Sequence, residues 1–339
     1  MDLNEIRSEI DKIDDELVRL FCQRMHAAAQ VADYKKANNL PIFQPARERA
    51  KLQDVAEKAG PEMANYTRVL YSMLFELSRS YQSKRNGECS PLYRNITQAI
   101  EHTPKLFPQA PMVACQGVEG SYAARACDRL FALPSKMYFS NFESVFNAVE
   151  SGLCRYGVLP IENSSAGSVT EVYDLMVRHK FYIVKSIKLH ISHALLAKPG
   201  VKLEDVKEVV SHTQALQQCS NFLKANPNIK VTIFENTATA AKYVAESGRT
   251  DLAALSSTDC AKLYGLHVLQ DGVQNNENNY TRFICIAKNM EIYAGSNRIS
   301  LMLSLDHRPG SLHEMIGKFA CRGINLCKLE SRPVPGQDF

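Results

Sequence analysis

Apolar residues recur every three or four positions from the start of the chain. Leu3, Ile6, Ile10, Ile13, Leu17 and Leu20 form the stripe of a long amphipathic helix. Residues 1–85 contain only Gly60, Pro41, Pro45 and Pro61 as breakers. A loop around Asn38–Pro45 separates this helix from a second one that opens with Arg47-Glu48-Arg49. A third is predicted from about Asn65, with Leu70, Met73, Leu74, Leu77 and Tyr81 on one face. The stripe of the first helix then runs onto Arg24, Ala27, Ala28, Val31 and Lys35. Eleven residues separate Arg24 from Lys35, about 20° in angle at 3.6 residues per turn, so both cations share the seam face. A cation in an apolar seam calls for an anion to meet it. Ser78 and Gln82, at i and i+4, lie one above the other on the third helix.

Beyond residue 111 the period changes. Short apolar runs at Met112–Cys115, Tyr156–Pro160, Tyr182–Leu189, Val206–Ser211, Lys230–Phe234, Leu252–Leu255 and Arg282–Ala287 alternate with helical stretches. This is the βα texture of open, mostly parallel sheets, whose ligands collect at strand C-termini. Small polar residues cluster there: Gly117–Tyr122 after the first run, Glu162–Ser168 after the second, Ser211–Gln218, Thr237–Ala241, and Asn278-Asn279-Tyr280-Thr281-Arg282-Phe283 leading into the last.

The chain has 339 residues, enough for two or three domains. With 45% hydrophobic and 22% charged residues it has the profile of a folded globular protein. The balance of 40 basic against 36 acidic residues gives +4, too weak for a nucleic-acid reader. Its apolar runs are shorter than the ~20 residues of a membrane helix, and the polar start Met1-Asp2-Leu3-Asn4-Glu5 is not expected to act as a signal peptide. The ten cysteines form no Cys-x-x-Cys pair. They read as small buried hydrophobes of a cytoplasmic protein, and the histidines show no metal-ligand spacing.

Over the first 85 residues, Arg7, Arg24, Lys35, Arg47, Glu48, Ser78 and Gln82 match in type and order the active-site positions of the all-helical chorismate mutases. The segment resembles that family, departing at Gln44, where Asp is common. The resemblance implies three helices, an interlocked homodimer or higher oligomer, and a cofactor-free rearrangement of chorismate to prephenate. Arg24, Arg47 and Ser78 then bind substrate, Lys35 and Gln82 are catalytic donors to the ether oxygen, and Glu48 accepts from the substrate hydroxyl. Arg7 lies seventeen residues before Arg24, about 25 Å along a straight helix and about 100° off its face. The resemblance assigns it to the partner's site.

The Glu162-Asn163-Ser164, Ser211-His212-Thr213-Gln214-Ala215-Leu216 and Thr281-Arg282-Phe283 segments resemble prephenate dehydratases over about 111–288. That implies two α/β lobes of periplasmic-binding-protein-like form, near 111–187 plus 268–288 and near 188–267, with the site in the cleft. Prephenate loses carbon dioxide while its ring hydroxyl leaves as water, so no cofactor is needed, and no metal is expected. Thr281 is the expected catalytic residue. Glu162, Asn163, Ser211, Gln218 and Arg282 are expected to bind substrate. His193 and His212 are candidate acids, His212 also a loop anchor.

Residues 297–339 resemble the first half of an ACT regulatory domain, of α+β fold. Strands are expected at Arg298–Leu305 and from Gly323, with a helix between. The resemblance assigns L-phenylalanine as effector to Gly310, Ser311, Leu312, Glu330, Ser331, Arg332 and Pro333, with feedback weakened by the missing half. The expected organisation is a mutase domain at 1–88, a Pro- and Gly-bearing linker at 89–110, a dehydratase domain at 111–288 and the half-module. Two alternatives stay open: a dehydratase with a non-catalytic helical dimeriser, to which Gln44 points, and a catalytically dead two-lobed sensor.

Overall fold

The structure is a computed structural model. It describes residues 2–87, 90–307, 309–320 and 322–332. The chain divides into two compact units, 1–97 and 98–339.

The first unit is helical. Helix α1 spans Leu3–Ala37, and the Glu5 carboxylate accepts from the Asp2 backbone N–H at its start. Helix α2 spans Pro45–Asn86 and opens on a proline, which needs no donor there. At Gly60 the backbone turns to φ 75°, ψ 167°, and Pro61 follows. This break divides α2, so the unit has the three helical segments expected. A further helix, α3 (Pro91–His102), occupies most of the segment read as a linker. There Ile96 and Ala99 recur at helical spacing, and Ala99 is buried.

The second unit holds two mixed sheets. Strands β1 (Met112–Gln116), β2 (Ser135–Phe139), β3 (Tyr156–Asn163), β4 (Gly167–Ser168) and β5 (Tyr182–His190) build one. A distant strand, β11 (Tyr280–Ala287), completes it in the order β2-β1-β3-β11-β5, with β4 on β3. Strands β6 (Ala194–Ala197), β7 (Glu208–His212), β8 (Lys230–Phe234), β9 (Leu252–Ser256) and β10 (His267–Gln270) form the other, ordered β10-β6-β9-β7-β8. The sheets are less parallel than expected: β11 is antiparallel to both neighbours, and β6 to β9 and β10. Strand β10 joins the second sheet, so the residues around 268 belong to that lobe.

Helices α4 (Tyr122–Leu130), α5 (Phe142–Glu150) and α6 (Thr170–His179) cover the first sheet; α7 (Thr213–Gln218), α8 (Ser220–Ala225), α9 (Thr237–Glu246) and α10 (Thr258–Tyr264) cover the second. Two apolar layers flank the first sheet. Phe283 and Cys285 face α4, whereas Ile284 and Ile286 face α5 and α6. By alternation Thr281 lies on the α4 face and Arg282 on the α6 face.

After Ala287, helix α11 (Ser311–Ala320) forms as expected. The expected strands at 298–305 and from 323 do not: neither segment pairs with a strand among the described residues. A strand needs a hydrogen-bonded neighbour, and Ile299 at 85% exposure has found none.

Candidate active sites

In the helical unit, α1 and α2 enclose a cavity of about 580 Å³ lined by Arg24, Lys35, Gln44, Arg47, Glu48, Ser78 and Gln82, among others. Six of the seven residues expected to form the mutase site therefore converge. Arg24 Nη1 donates to Ser78 Oγ (2.5 Å) and to the Leu74 carbonyl (3.2 Å), and its guanidinium stands 5.7 Å from the Phe75 ring centroid. Lys35 is buried and donates to the Ile42 carbonyl at 2.6 Å. Burial pulls its ammonium below the usual lysine value; the Arg47 charge adds to this and the Glu48 carboxylate opposes it. Gln82 is buried, and its Oε1 has no partner among the described residues. Arg7 is exposed on α1, outside this cavity. Glu48 pairs with Arg79, a cavity residue the sequence reading passed over.

In the α/β unit, the β1–α4 turn touches the N-terminal ends of two helices from the other lobe. A Cβ on Gly117 would stand 3.8 Å from Asn236 Nδ2, which caps α9, and one on Gly120 3.1 Å from Cys260 Sγ on α10. A chain of amides, Asn163 and Asn279 buried and Gln218 partly so, runs from the first sheet to α7. Asn163 Oδ1 accepts the backbone N–H groups of Ser165 and Ala166, both at 2.9 Å. Its Nδ2 therefore faces Thr281 Oγ1 and Asn279 Oδ1, both at 2.8 Å, and donates to each. Asn279 Nδ2 in turn donates to Gln218 Oε1 at 2.9 Å. Because that oxygen only accepts, His193 Nε2, at 3.0 Å, carries its proton. His193 Nδ1 is then a buried lone pair with no partner among the described residues. Burial pulls this imidazole below its ordinary value, the Gln218 hydrogen bond opposing, so it is neutral near pH 7. In this state its one N–H proton is held by Gln218.

Arg282 and Glu162 lie on the opposite face of β11 and β3, beside a cavity that Asn163 also lines. They face each other across β11 and β3 with 3.5 Å between Nη1 and Oε1, in a second cavity of about 680 Å³ shared with Lys188, Arg298 and Lys328. Ser211 is fully enclosed and donates to the Leu255 carbonyl at 2.6 Å. It braces β7 against β9. His212 accepts the Gln214 N–H at 3.3 Å and caps α7.

Residues 113–291, more than half the chain, match the profile of the family described as Prephenate dehydratase, and residues 6–83 match Chorismate mutase type II. The chain belongs to the prephenate dehydratase family. It carries a chorismate mutase type II domain before the dehydratase domain. The bifunctional chorismate mutase/prephenate dehydratase of Escherichia coli (strain K12) is 30% identical over 98% of this chain and 85% of its own. Arogenate dehydratase 2 of Petunia hybrida is 39% identical over 76% of this chain and 66% of its own, so the chain spans just under two thirds of that relative. Among solved structures, the prephenate dehydratase of Arthrobacter aurescens in complex with L-Phe is 26% identical with a TM-score of 0.57, covering 66% of this chain and 77% of that one.

Within this prephenate dehydratase family member, Asn279, Tyr122 and Gln274 join the hydrogen bonds around Asn163 and His193, and sequence reasoning missed them. Gln274 Oε1 accepts the His193 N–H at 2.9 Å, and Tyr122 bonds the backbone of Ser192 at 2.5 Å. The Asn-rich run before Thr281 was the available signal for Asn279. Of the expected effector residues, Gly310, Ser311 and Leu312 lie at the start of α11. Glu330 and Arg332, which flank Ser331, pack against β4 and α6: Glu330 accepts from Ser168 Oγ (2.7 Å) and Arg332 pairs with Asp174 (2.5 Å). Pro333 lies outside the described residues. No helix among the described residues is long and apolar enough to cross a membrane, and no three His, Cys, Asp or Glu among them are grouped to hold a metal ion.

Proposed function

We propose that the chain is a bifunctional enzyme that rearranges chorismate to prephenate in the helical unit and converts prephenate to phenylpyruvate in the α/β unit. The direction of the Asn163–Thr281 hydrogen bond carries the second half. Thr281 Oγ1 accepts from Asn163, so its own O–H is free to donate. Prephenate needs one such donor. Its ring C–CO₂⁻ bond breaks, the electron pair moves through the ring, and the opposite C–OH bond breaks. The departing hydroxide takes up a proton and leaves as water. A hydroxyl held as a donor polarises that C–O bond without titrating. The N-termini of α4 and α9, capped by Ser121 and Asn236, support binding of the carboxylates.

The mutase reaction needs no nucleophile. Arg24 and Arg47 clamp the two carboxylates, Lys35 and Gln82 stabilise charge on the ether oxygen, and Glu48 accepts from the hydroxyl. The exposed stripe of α1 supports a homodimer: Leu3, Ile6, Ile10, Ile13, Leu17 and Leu20 are all more than 40% exposed. Arg7 then serves the partner's site. Eight described cysteines are free and six of them buried, which supports a reducing, cytoplasmic setting. L-phenylalanine, bound in the Arthrobacter relative, is the proposed effector.

The test supplies chorismate and follows its loss and phenylpyruvate appearance separately. Both signals are expected. Phenylpyruvate from prephenate but not chorismate leaves a dehydratase with a silent helical domain; neither signal refutes the reading. The petunia relative favours a second substrate for the cleft, arogenate, which carries an ammonium where prephenate has a keto oxygen. Phenylalanine released from arogenate is the readout.

A further inference from the structure

The helical cavity carries five cations, Arg24, Lys35, Arg47, Lys51 and Arg79, and two carboxylates, Glu48 and Asp54. Two cations are matched locally: Lys51 pairs with Asp54 at 2.6 Å and Arg79 with Glu48. Arg24, Lys35 and Arg47 remain for a dianion and an ether oxygen. Glu48 threatens this arrangement. It follows Arg47 directly in the chain, and its charge reaches Lys35. Left to itself, the carboxylate closes on one of those cations and removes an anchor from the substrate.

Arg79 prevents this. It arrives from the far segment of α2, and its guanidinium is held over the Phe43 ring, 5.1 Å from the centroid. Its position therefore does not rest on Glu48 alone. Arg79 Nη1 takes Glu48 Oε2. Glu48 Oε1 has no hydrogen-bond partner among the described residues, on a side chain that lines the cavity.

We propose that Arg79 is a positioning residue of the mutase site, holding Glu48 away from the substrate-binding cations and presenting one of its oxygens to the substrate hydroxyl. This rests on the mutase reading above. The test measures chorismate loss for the wild-type chain, Arg79→Met, Arg79→Lys, Glu48→Gln and the Arg79→Met/Glu48→Gln double variant. Arg79→Met should lower kcat/KM about tenfold, mainly through KM, and Arg79→Lys should recover most of it. In the Glu48→Gln background the same change should cost less than about twofold, because a neutral amide does not compete for the cations. An equal loss in both backgrounds, or none in either, overturns the proposal. A wild-type chain that leaves chorismate untouched overturns the mutase reading instead. Should Arg79→Met fail to fold, Arg79→Gln replaces it in the same cycle.

Discussion

Asn163 donates to Thr281 because two backbone N–H groups, those of Ser165 and Ala166, occupy its oxygen. Backbone N–H groups cannot accept, so the amide cannot turn. Asn163→Asp keeps the shape and removes the donor. Thr281 must then donate to the new carboxylate, and its proton is lost to the substrate. The expected result is a fall in dehydratase kcat of about 100-fold, comparable to Thr281→Ala and typical of a lost transition-state donor. Chorismate consumption by both variants should match wild type. Unchanged phenylpyruvate production by Asn163→Asp would refute this role.

Lys35 sets an alkaline limit on the mutase. The ammonium form binds, and burial places its titration below the usual 10.5. As pH rises through that lowered value the cation is lost, so kcat/KM for chorismate should fall with a midpoint below 10.5. Bound substrate adds negative charge, so the kcat midpoint should lie higher. Lys35→Gln should remove the titration along with most activity.

His193 affects stability in acid. Its folded-state value lies below the 6.5 of a free imidazole, so the unfolded chain takes up the proton first. Stability from the neutral ring is full above pH 6.5 and is lost as pH falls through the folded value. His193→Gln should therefore flatten the decline in melting temperature below pH 6.5. His212, also lowered by burial, keeps part of that slope.

Charge on the α1 stripe should separate the protomers. Ile10→Asp with Leu17→Asp is expected to sediment as a monomer and to lose mutase activity at least about 100-fold if Arg7 acts in the partner's site. Dehydratase turnover should persist. A fully active monomer would refute the shared site.

Gly120 packs against α10 of the other lobe, and its carbonyl accepts from Cys260 Sγ at 3.4 Å. Its φ is +85°, and a Cβ there would lie 2.9 Å from Leu263 Cδ2 and 3.1 Å from Cys260 Sγ. Gly120→Ala should lower stability by about 1–3 kcal/mol and raise KM for prephenate. Thermal melting and steady-state kinetics report both.

The buried strands were legible as apolar runs, and the helical unit as a period of 3.6. What sequence reasoning missed has physical causes. Strand β2, Ser-Lys-Met-Tyr-Phe, sits at a sheet edge and is nowhere fully buried, so it alternates weakly. Strand β6 is only four residues long, too short to show a period. Helix α3 was hidden by prolines at its ends, which mark boundaries as readily as linkers. The two-sided placement of Thr281 and Arg282 follows from strand alternation, yet their adjacency in one motif invited reading them as one site. Asn279 and Ser211 needed the register: one enters the network because it faces Asn163, the other ties β7 to β9 because the Leu255 carbonyl takes its hydroxyl.

The order β2-β1-β3-β11-β5 sets a timetable for synthesis. The strand that fills the gap between β3 and β5 is the last of the six to leave the ribosome, more than 110 residues after β3. Until then β5 has no partner on either side, while all five strands of the second sheet have emerged and can pair. The inserted lobe can thus assemble before the lobe that brackets it. A nascent chain arrested with residues up to 270–280 clear of the exit tunnel should hold a protease-resistant second lobe beside an open, cleavable first one.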